Sequence, residues 1–292
     1  MTPRRDWTPA SMPQLTGRTA IVTGANTGIG FPTALELARH GARVVVAARS
    51  PEKGRAAVAE ILRAVPGGQV ECGELDLADL ASVRRFAEGV DRVDLLINNA
   101  GIGMIPRQET KDGFEMQFGT NHLGHFALTG LLLPRLLAAP GARVVTVSSD
   151  AHAAGRIDFD DLGLERRYGG MAAYARSKLA NLLFTLELQR RAKQAGADLT
   201  SVATHPGMTA TNIFKVRLLL PLIRLFLKPP EAGARSSLYA ATSPDIRGGE
   251  FVGPRLQLLT PSARARSEEV ARRLWDVSTE LTGVRFEEIA YR

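Results

Sequence analysis

The stretch TAIVTGANTGIGFPTALELARHG, residues 19 to 41, joins two kinds of hydrophobic spacing through one glycine-rich turn. Residues 19 to 24 form a short apolar run with β-branched side chains, which predicts a strand. Residues 29 to 41 carry apolar side chains at helical spacing, and Gly41 supplies the stop. Gly24, Gly28 and Gly30 lie between them. Glycines at such a junction let the backbone turn sharply and approach a pyrophosphate, whose charge is stabilised by the free N–H groups and dipole of the following helix. A glycine-rich turn alone is a weak signal, but its place between a first strand and a first helix makes it a dinucleotide-binding pattern.

The same alternation continues outward from this junction. Strands are expected at residues 43 to 49, 69 to 76, 93 to 98, 142 to 149 and 199 to 207, and helices at 51 to 65, 79 to 89, 115 to 138 and 171 to 195. Short apolar runs alternating with longer helical segments build a parallel sheet from βαβ units. The expected fold class is α/β: a single doubly wound parallel sheet of the Rossmann type with helices on both faces. Residues 1 to 14 read as a flexible N-terminal arm and residues 15 to 292 as one domain. The helices carrying Leu123 to Leu133 and Leu179 to Leu188 are apolar around much of their circumference, so burial or a second subunit must cover them. A homo-oligomer is expected on that ground.

Hydrophobic residues make up 45% of the 292, enough for one large core. The single cysteine, Cys72, excludes a disulfide framework and fits a reducing compartment. The N-terminal residues lack the apolar core of a signal peptide, so a cytoplasmic protein with no transmembrane segment is expected. A net charge of +7 would suit a nucleic acid, but the basic residues are scattered among acids and no run is both basic and aromatic, so no nucleic-acid partner is expected. His122 and His125 stand three apart on one helix, yet no carboxylate or thiolate cluster completes a metal site, and none is expected.

Arg49 follows the second strand in the run Ala47, Ala48, Arg49, Ser50. An NAD site usually places a carboxylate there to bind the ribose 2′-hydroxyl. A guanidinium instead suits a 2′-phosphate, which favours NADP(H) over NAD(H), with an ordinary surface arginine as the alternative.

Several further motifs occur in order: Asp76 after the third strand, NNAG (98 to 101), Asn121 within NHLGHF, VSS (147 to 149), YARSK (174 to 178) and HPGMTAT (205 to 211). With TGANTGIG they make the chain resemble the short-chain dehydrogenase/reductase family over almost its whole length. NHLGHFALTGLLLP, VSSDAH, SKLANLLFTLEL and LYAATSP resemble its retinol-dehydrogenase-like branch, which includes the WW-domain-containing oxidoreductase. Two departures stand out. Pro32 occupies a first-turn position where the branch commonly has Glu, which a helix start tolerates, and the N-terminal membrane anchor of the branch is not expected here.

The resemblance implies a cofactor site made by Gly24, Asn26, Thr27, Gly28, Ile29, Gly30, Arg49, Asp76, Leu77, Asn98, Ala100, Gly101, Tyr174, Lys178, Pro206, Gly207 and Thr211. It implies a catalytic set of Asn121, Ser149, Tyr174 and Lys178. A phenol can give and take a proton in carbonyl reduction and alcohol oxidation if a neighbouring ammonium lowers its pKa toward neutrality, the role expected of Lys178 beside Tyr174. By family likeness Lys178 also holds the nicotinamide ribose, Ser149 bonds the substrate oxygen and Asn121 holds a relay water. Ser148 is an alternative to Ser149, and Tyr174 with Lys178 could instead be an exposed i, i+4 pair.

The activity implied is an NADP(H)-dependent interconversion of a small lipophilic alcohol and its aldehyde or ketone. The rival is a catalytically silent dinucleotide-binding regulator, since fold does not fix function. Residues 208 to 230, with the apolar run KVRLLLPLIRLFLKPP, are expected to form a substrate lid, with a peripheral membrane contact or a buried helix as alternatives.

Overall fold

Every side chain of β1 (Thr19–Thr23) is buried, as a parallel strand covered by helices on both faces requires. The computed structural model describes residues 6–207 and 229–290. Among them β1 is joined by β2 (Arg43–Ala48), β3 (Val70–Glu74), β4 (Leu95–Asn98), β5 (Ala142–Val147), β6 (Leu199–Thr204) and β7 (Phe251–Val252). All pair in parallel in the order β3-β2-β1-β4-β5-β6-β7. The chain winds outward from β1 to β3, then returns to β4 on the other side of β1. That reversal opens a crevice at the carboxyl ends of β1 and β4, where such sheets bind ligands.

The helices are α1 (Gly30–Arg39), α2 (Pro51–Ala64), α3 (Leu80–Glu88), α4 (Met116–Phe118), α5 (Gly124–Leu137), α6 (Gly170–Gln194), α7 (Pro230–Thr242) and α8 (Glu268–Thr282). Alternation along the strands divides the core between two faces. Ala20, Val22, Val46 and Ile97 pack with Leu37 of α1, Ile61 of α2 and Leu238 of α7. Ile21, Val45, Leu96 and Val144 pack with Phe86 of α3, Leu132 of α5 and Leu188 of α6. Local chemistry starts the helices where the site needs them. The Ser50 hydroxyl accepts from Lys53 N at 3.3 Å with Pro51 beside it, and the Asp79 carboxylate accepts from Ala81 N and Ser82 N at 3.0 and 3.2 Å, each satisfying N–H groups that a helix start leaves free.

Four expectations change. Residues 115 to 138 are not one helix: α4 runs into a π-helical turn, Gly119–Leu123, before α5. Strands β3, β5 and β6 end two or three residues early, which frees Asp76, Ser149 and Gly207 to face the carboxyl crevice as loop residues. The arm is not loose over its described part: Trp7 is buried edge-on against Tyr239 with ring centroids 5.3 Å apart, and Arg235 donates to Trp7 O. Finally, the apolar circumference of α5 and α6 is covered by the chain itself. Trp275 of α8 and Phe286 stand 5.2 and 4.9 Å from Phe126, and Arg191 caps the Trp275 ring at 4.5 Å. That surface therefore gives no argument for a second subunit. No helix among the described residues is long and apolar enough to cross a membrane.

Candidate active site

The cofactor side of the crevice is made of backbone. Gly24 and Gly28 have φ of 67° and 58°, a region that favours glycine because it has no Cβ. A Cβ on Gly24 would stand 3.0 Å from Ala100 Cα, and one on Gly30 would stand 2.6 Å from both Gly24 O and Asn99 Nδ2. The loops interlock through short bonds: Gly24 N donates to Ala47 O at 2.8 Å, and Asn99 Nδ2 donates to Thr23 O at 2.8 Å. The Thr23 hydroxyl accepts from Asn99 N and Ala100 N, both at 2.9 Å. The ends of β1, β2 and β4 thus form one rigid rim.

Around this rim the expected residues divide. Asn26, Thr27 and Gly28 lie in the open turn, while Ile29 is buried and its carbonyl accepts from the Thr33 hydroxyl at 2.8 Å. Arg49 is exposed immediately after β2. The Asp76 carboxylate accepts from Ala78 N at 3.0 Å, and Leu77 turns in against α5, its carbonyl 2.4 Å from where a Cβ on Gly124 would sit. The Asn98 side chain departs from the expected role, since it is buried and donates to Thr129 Oγ1 at 3.1 Å. Pro206 and Gly207 are half-buried after β6. Thr211 and residues 208–228 of the expected lid lie outside the described residues, and the lid's last two prolines open α7, with Pro229 at its N-cap.

The other side of the crevice is made of buried side chains. Tyr174 and Lys178 stand one turn apart on α6, 8% and 2% exposed, so they are not a solvated pair. Lys178 Nζ lies 5.6 Å from the Tyr174 ring centroid and donates to Val147 O at 3.1 Å. The Ser149 side chain draws the Tyr174 phenol pKa downward, whereas Ser148 is buried and donates to Lys178 O at 2.8 Å. The second serine therefore faces the phenol and the first anchors α6. Asn121, in the π-helical turn, accepts from Ile102 N at 2.9 Å and donates to Ser177 Oγ at 2.9 Å. A Cβ on Gly101 would lie 3.4 Å from both Asn121 Oδ1 and Lys178 Nζ, so the NNAG loop passes directly beside this pair.

Burial sets the electrostatics here. It pushes the Tyr174 phenol above its usual value, opposed by the Ser149 hydrogen bond, and it pushes Lys178 down to about 8. The expectation of a phenol depressed by its ammonium neighbour is thus reversed in this structure, because the cost of removing the phenolate from water outweighs the Ser149 hydrogen bond that opposes it. Lys178 alone is left close to the range in which a proton moves readily in either direction.

Three partners were not foreseen from the sequence. Gln117, fully buried, donates to Tyr168 Oη at 2.9 Å and accepts from Met104 N at 2.9 Å, joining the loops on the outer wall. Thr23 and His125 bond each other at 2.9 Å beneath the rim. The i, i+4 spacing of Asn121 and His125 was the available signal, since such residues share a helix face. Among the described residues no group of three or more His, Cys, Asp and Glu could hold a metal ion.

The glycine cradle fits a dinucleotide, since its backbone lies open where any side chain would collide. Comparison with known proteins agrees with this arrangement. Residues 18–218 match the short chain dehydrogenase family model. The chain is 47% identical over 286 residues to human retinol dehydrogenase 13, covering 92% of this chain and 85% of that protein. It is 46% identical to mouse retinol dehydrogenase 12, covering 94% and 89%. A crystal structure of an uncharacterized Mycobacterium paratuberculosis protein shares 50% identity with a TM-score of 0.83, covering 96% of this chain and 98% of that one. A Beutenbergia cavernae protein assigned as an NAD(P)-dependent gluconate 5-dehydrogenase, with NADP bound at low occupancy, shares 28% identity with a TM-score of 0.65 over 82% of this chain and 96% of that one.

Proposed function

The chain belongs to the short-chain dehydrogenase family, and from that premise we propose that it is an NADP(H)-dependent oxidoreductase interconverting a lipophilic alcohol and its aldehyde or ketone. One observation carries the reading: Tyr174, Ser149, Lys178 and Asn121 converge beside the glycine cradle. Bound there, a nicotinamide dinucleotide supplies or accepts the hydride. The Gly24, Gly28 and Gly30 turn would hold its pyrophosphate through backbone N–H groups. Arg49, exposed at the end of β2, would pair with a 2′-phosphate, where a carboxylate would repel it.

In the reducing direction Ser149 orients the substrate oxygen and Tyr174 hands it the phenolic proton; in the oxidising direction Tyr174 takes that proton back. Lys178, buried beside the ring, stabilises the phenolate left after proton donation. Asn121 holds the main chain next to Lys178 in the position from which a water could resupply the proton. Likeness to retinol dehydrogenases supports an apolar substrate, and the single cysteine supports a reducing compartment such as the cytoplasm.

The test is NADPH oxidation by the purified protein against a panel of hydrophobic aldehydes and ketones, with NADH as the control. Turnover with a preference for NADPH is the expected result. Tight NADPH binding without turnover of any of them would instead support the silent dinucleotide-binding regulator.

A further inference from the structure

His125 stands in the first turn of α5, directly after the π-helical turn, and is buried. Its Nδ1 lies 2.9 Å from the main-chain oxygen of Asn121, and its Nε2 lies 2.9 Å from Thr23 Oγ1. A carbonyl oxygen only accepts, so Nδ1 carries the ring proton and Nε2 presents a lone pair. The Thr23 hydroxyl then donates to Nε2, in preference to Ile97 O at the longer 3.3 Å. That leaves its lone pairs for the N–H groups of Asn99 and Ala100, each at 2.9 Å. Every bond in the chain therefore has one direction: from the two amides to Thr23, from Thr23 to His125, and from His125 to Asn121.

The chain spans the two halves of the site. At one end Thr23 immediately precedes Gly24, and Asn99 and Ala100 form the wall that Gly24 and Gly30 approach. At the other end Asn121 reaches Ser177 on α6 and stands with Lys178 around Gly101. A charged ring would break this arrangement, because a second N–H would face a hydroxyl already accepting two amides. Burial and the nearby Lys178 ammonium hold the ring uncharged, with its pKa lowered to about 4.

We propose that His125 is a positioning residue for the reaction: as the neutral Nδ1–H tautomer, it fixes the main chain of Asn121 against Thr23 and so sets the spacing between the proton-handling side chains and the cofactor loops. This rests on the oxidoreductase reading given above. Neither the cofactor nor the substrate is touched by His125 itself. It acts through Thr23 on one side and Asn121 on the other.

Three variants separate the two bonds. His125→Asn keeps a donor near the Nδ1 position, His125→Gln keeps an acceptor near the Nε2 position, and His125→Leu keeps neither. Because displacements of about an ångström can cost on the order of 100-fold in rate, His125→Leu is expected to lower kcat by about 10- to 100-fold, with carbonyl KM and NADPH Kd changed less than about threefold. Asn and Gln should each recover part of the loss. A purely structural histidine would lower Tm and leave kcat per folded enzyme unchanged. A folded His125→Leu protein with wild-type kcat would overturn the proposal; should that variant not fold, wild-type kcat in both His125→Asn and His125→Gln would do so. Hydrogen exchange at the Asn99 and Ala100 amides needs no turnover and is expected to accelerate at least about tenfold in His125→Asn, as the Thr23 hydroxyl loses its nearer acceptor and swings toward Ile97 O. If the wild type turns over no carbonyl, the reaction reading falls and with it the positioning role; unchanged exchange with wild-type turnover intact overturns the bond chain alone.

Discussion

At Gly30 the site is shaped by the lack of a side chain, whereas at Lys178 it is shaped by a charged side chain held almost completely out of water. The two positions face the same crevice from opposite sides of β1 and β4. The glycine side presents backbone, with its geometry fixed by left-handed turns and by bonds among the ends of β1, β2 and β4. The tyrosine side presents buried polar groups whose protonation is set by desolvation and by a few hydrogen bonds. The two sides should therefore fail differently. Damage on the first side should appear in binding, and damage on the second should appear in rate.

The largest effect should come from filling the backbone side. In Gly30→Ala the new Cβ would press on Gly24 O, a main-chain atom that cannot swing aside. NADPH affinity should fall by roughly 100-fold or more, about 2.8 kcal/mol, measured by titration of cofactor fluorescence. Binding within twofold of the wild type would mean that the glycine turn does not hold the cofactor. A smaller effect is expected at the rim. Arg49→Asp should shift the ratio of kcat/KM for NADPH over NADH toward NADH by on the order of tenfold, since a carboxylate accepts from a 2′-hydroxyl and repels a 2′-phosphate. An unchanged ratio would return Arg49 to an ordinary surface residue.

The smallest effect concerns pH and sharpens the buried side. His122 and His125 have folded pKa values lowered to about 3 and about 4, by burial first, from an unfolded value of 6.5. Between those limits the unfolded chain binds more protons than the folded one, so stability is full above about pH 6.5 and falls as pH drops toward 4. The thermal midpoint should decline over that window, and His125→Asn should flatten the decline if the variant keeps its fold. A midpoint that stays level from pH 6.5 to 4.5 would contradict the neutral buried histidines.

The glycine side was legible in the sequence because its signals are local. An apolar run, three glycines and a helical period all fall within residues 19 to 41, and the structure forms β1 and α1 there. The tyrosine side was legible only as residue types in a familiar order. That order located Tyr174, Lys178, Ser149 and Asn121, but not the buried contacts that give them their properties. The π-helical turn at Asn121 could not be read from helical periodicity, because it inserts a residue without altering which side chains are apolar. The upward push on the Tyr174 phenol depends on burial by distant segments. The aromatic cover of Trp275 and Phe286 over α5 and α6 joins residues some ninety or more positions apart, which a window of sequence cannot see. The sequence offers His125 only as a metal ligand, since its partner Thr23 lies on β1, 102 positions away.

The central claim is that Tyr174 donates the proton while the glycine rim holds the cofactor without it. Tyr174→Phe tests this most directly, with kcat for a turned-over carbonyl and Kd for NADPH measured on the same preparation. The expected result is a loss of at least about 100-fold in kcat, the scale of an essential acid/base, with NADPH affinity left within about twofold of the wild type. Near-normal turnover by Tyr174→Phe would contradict it.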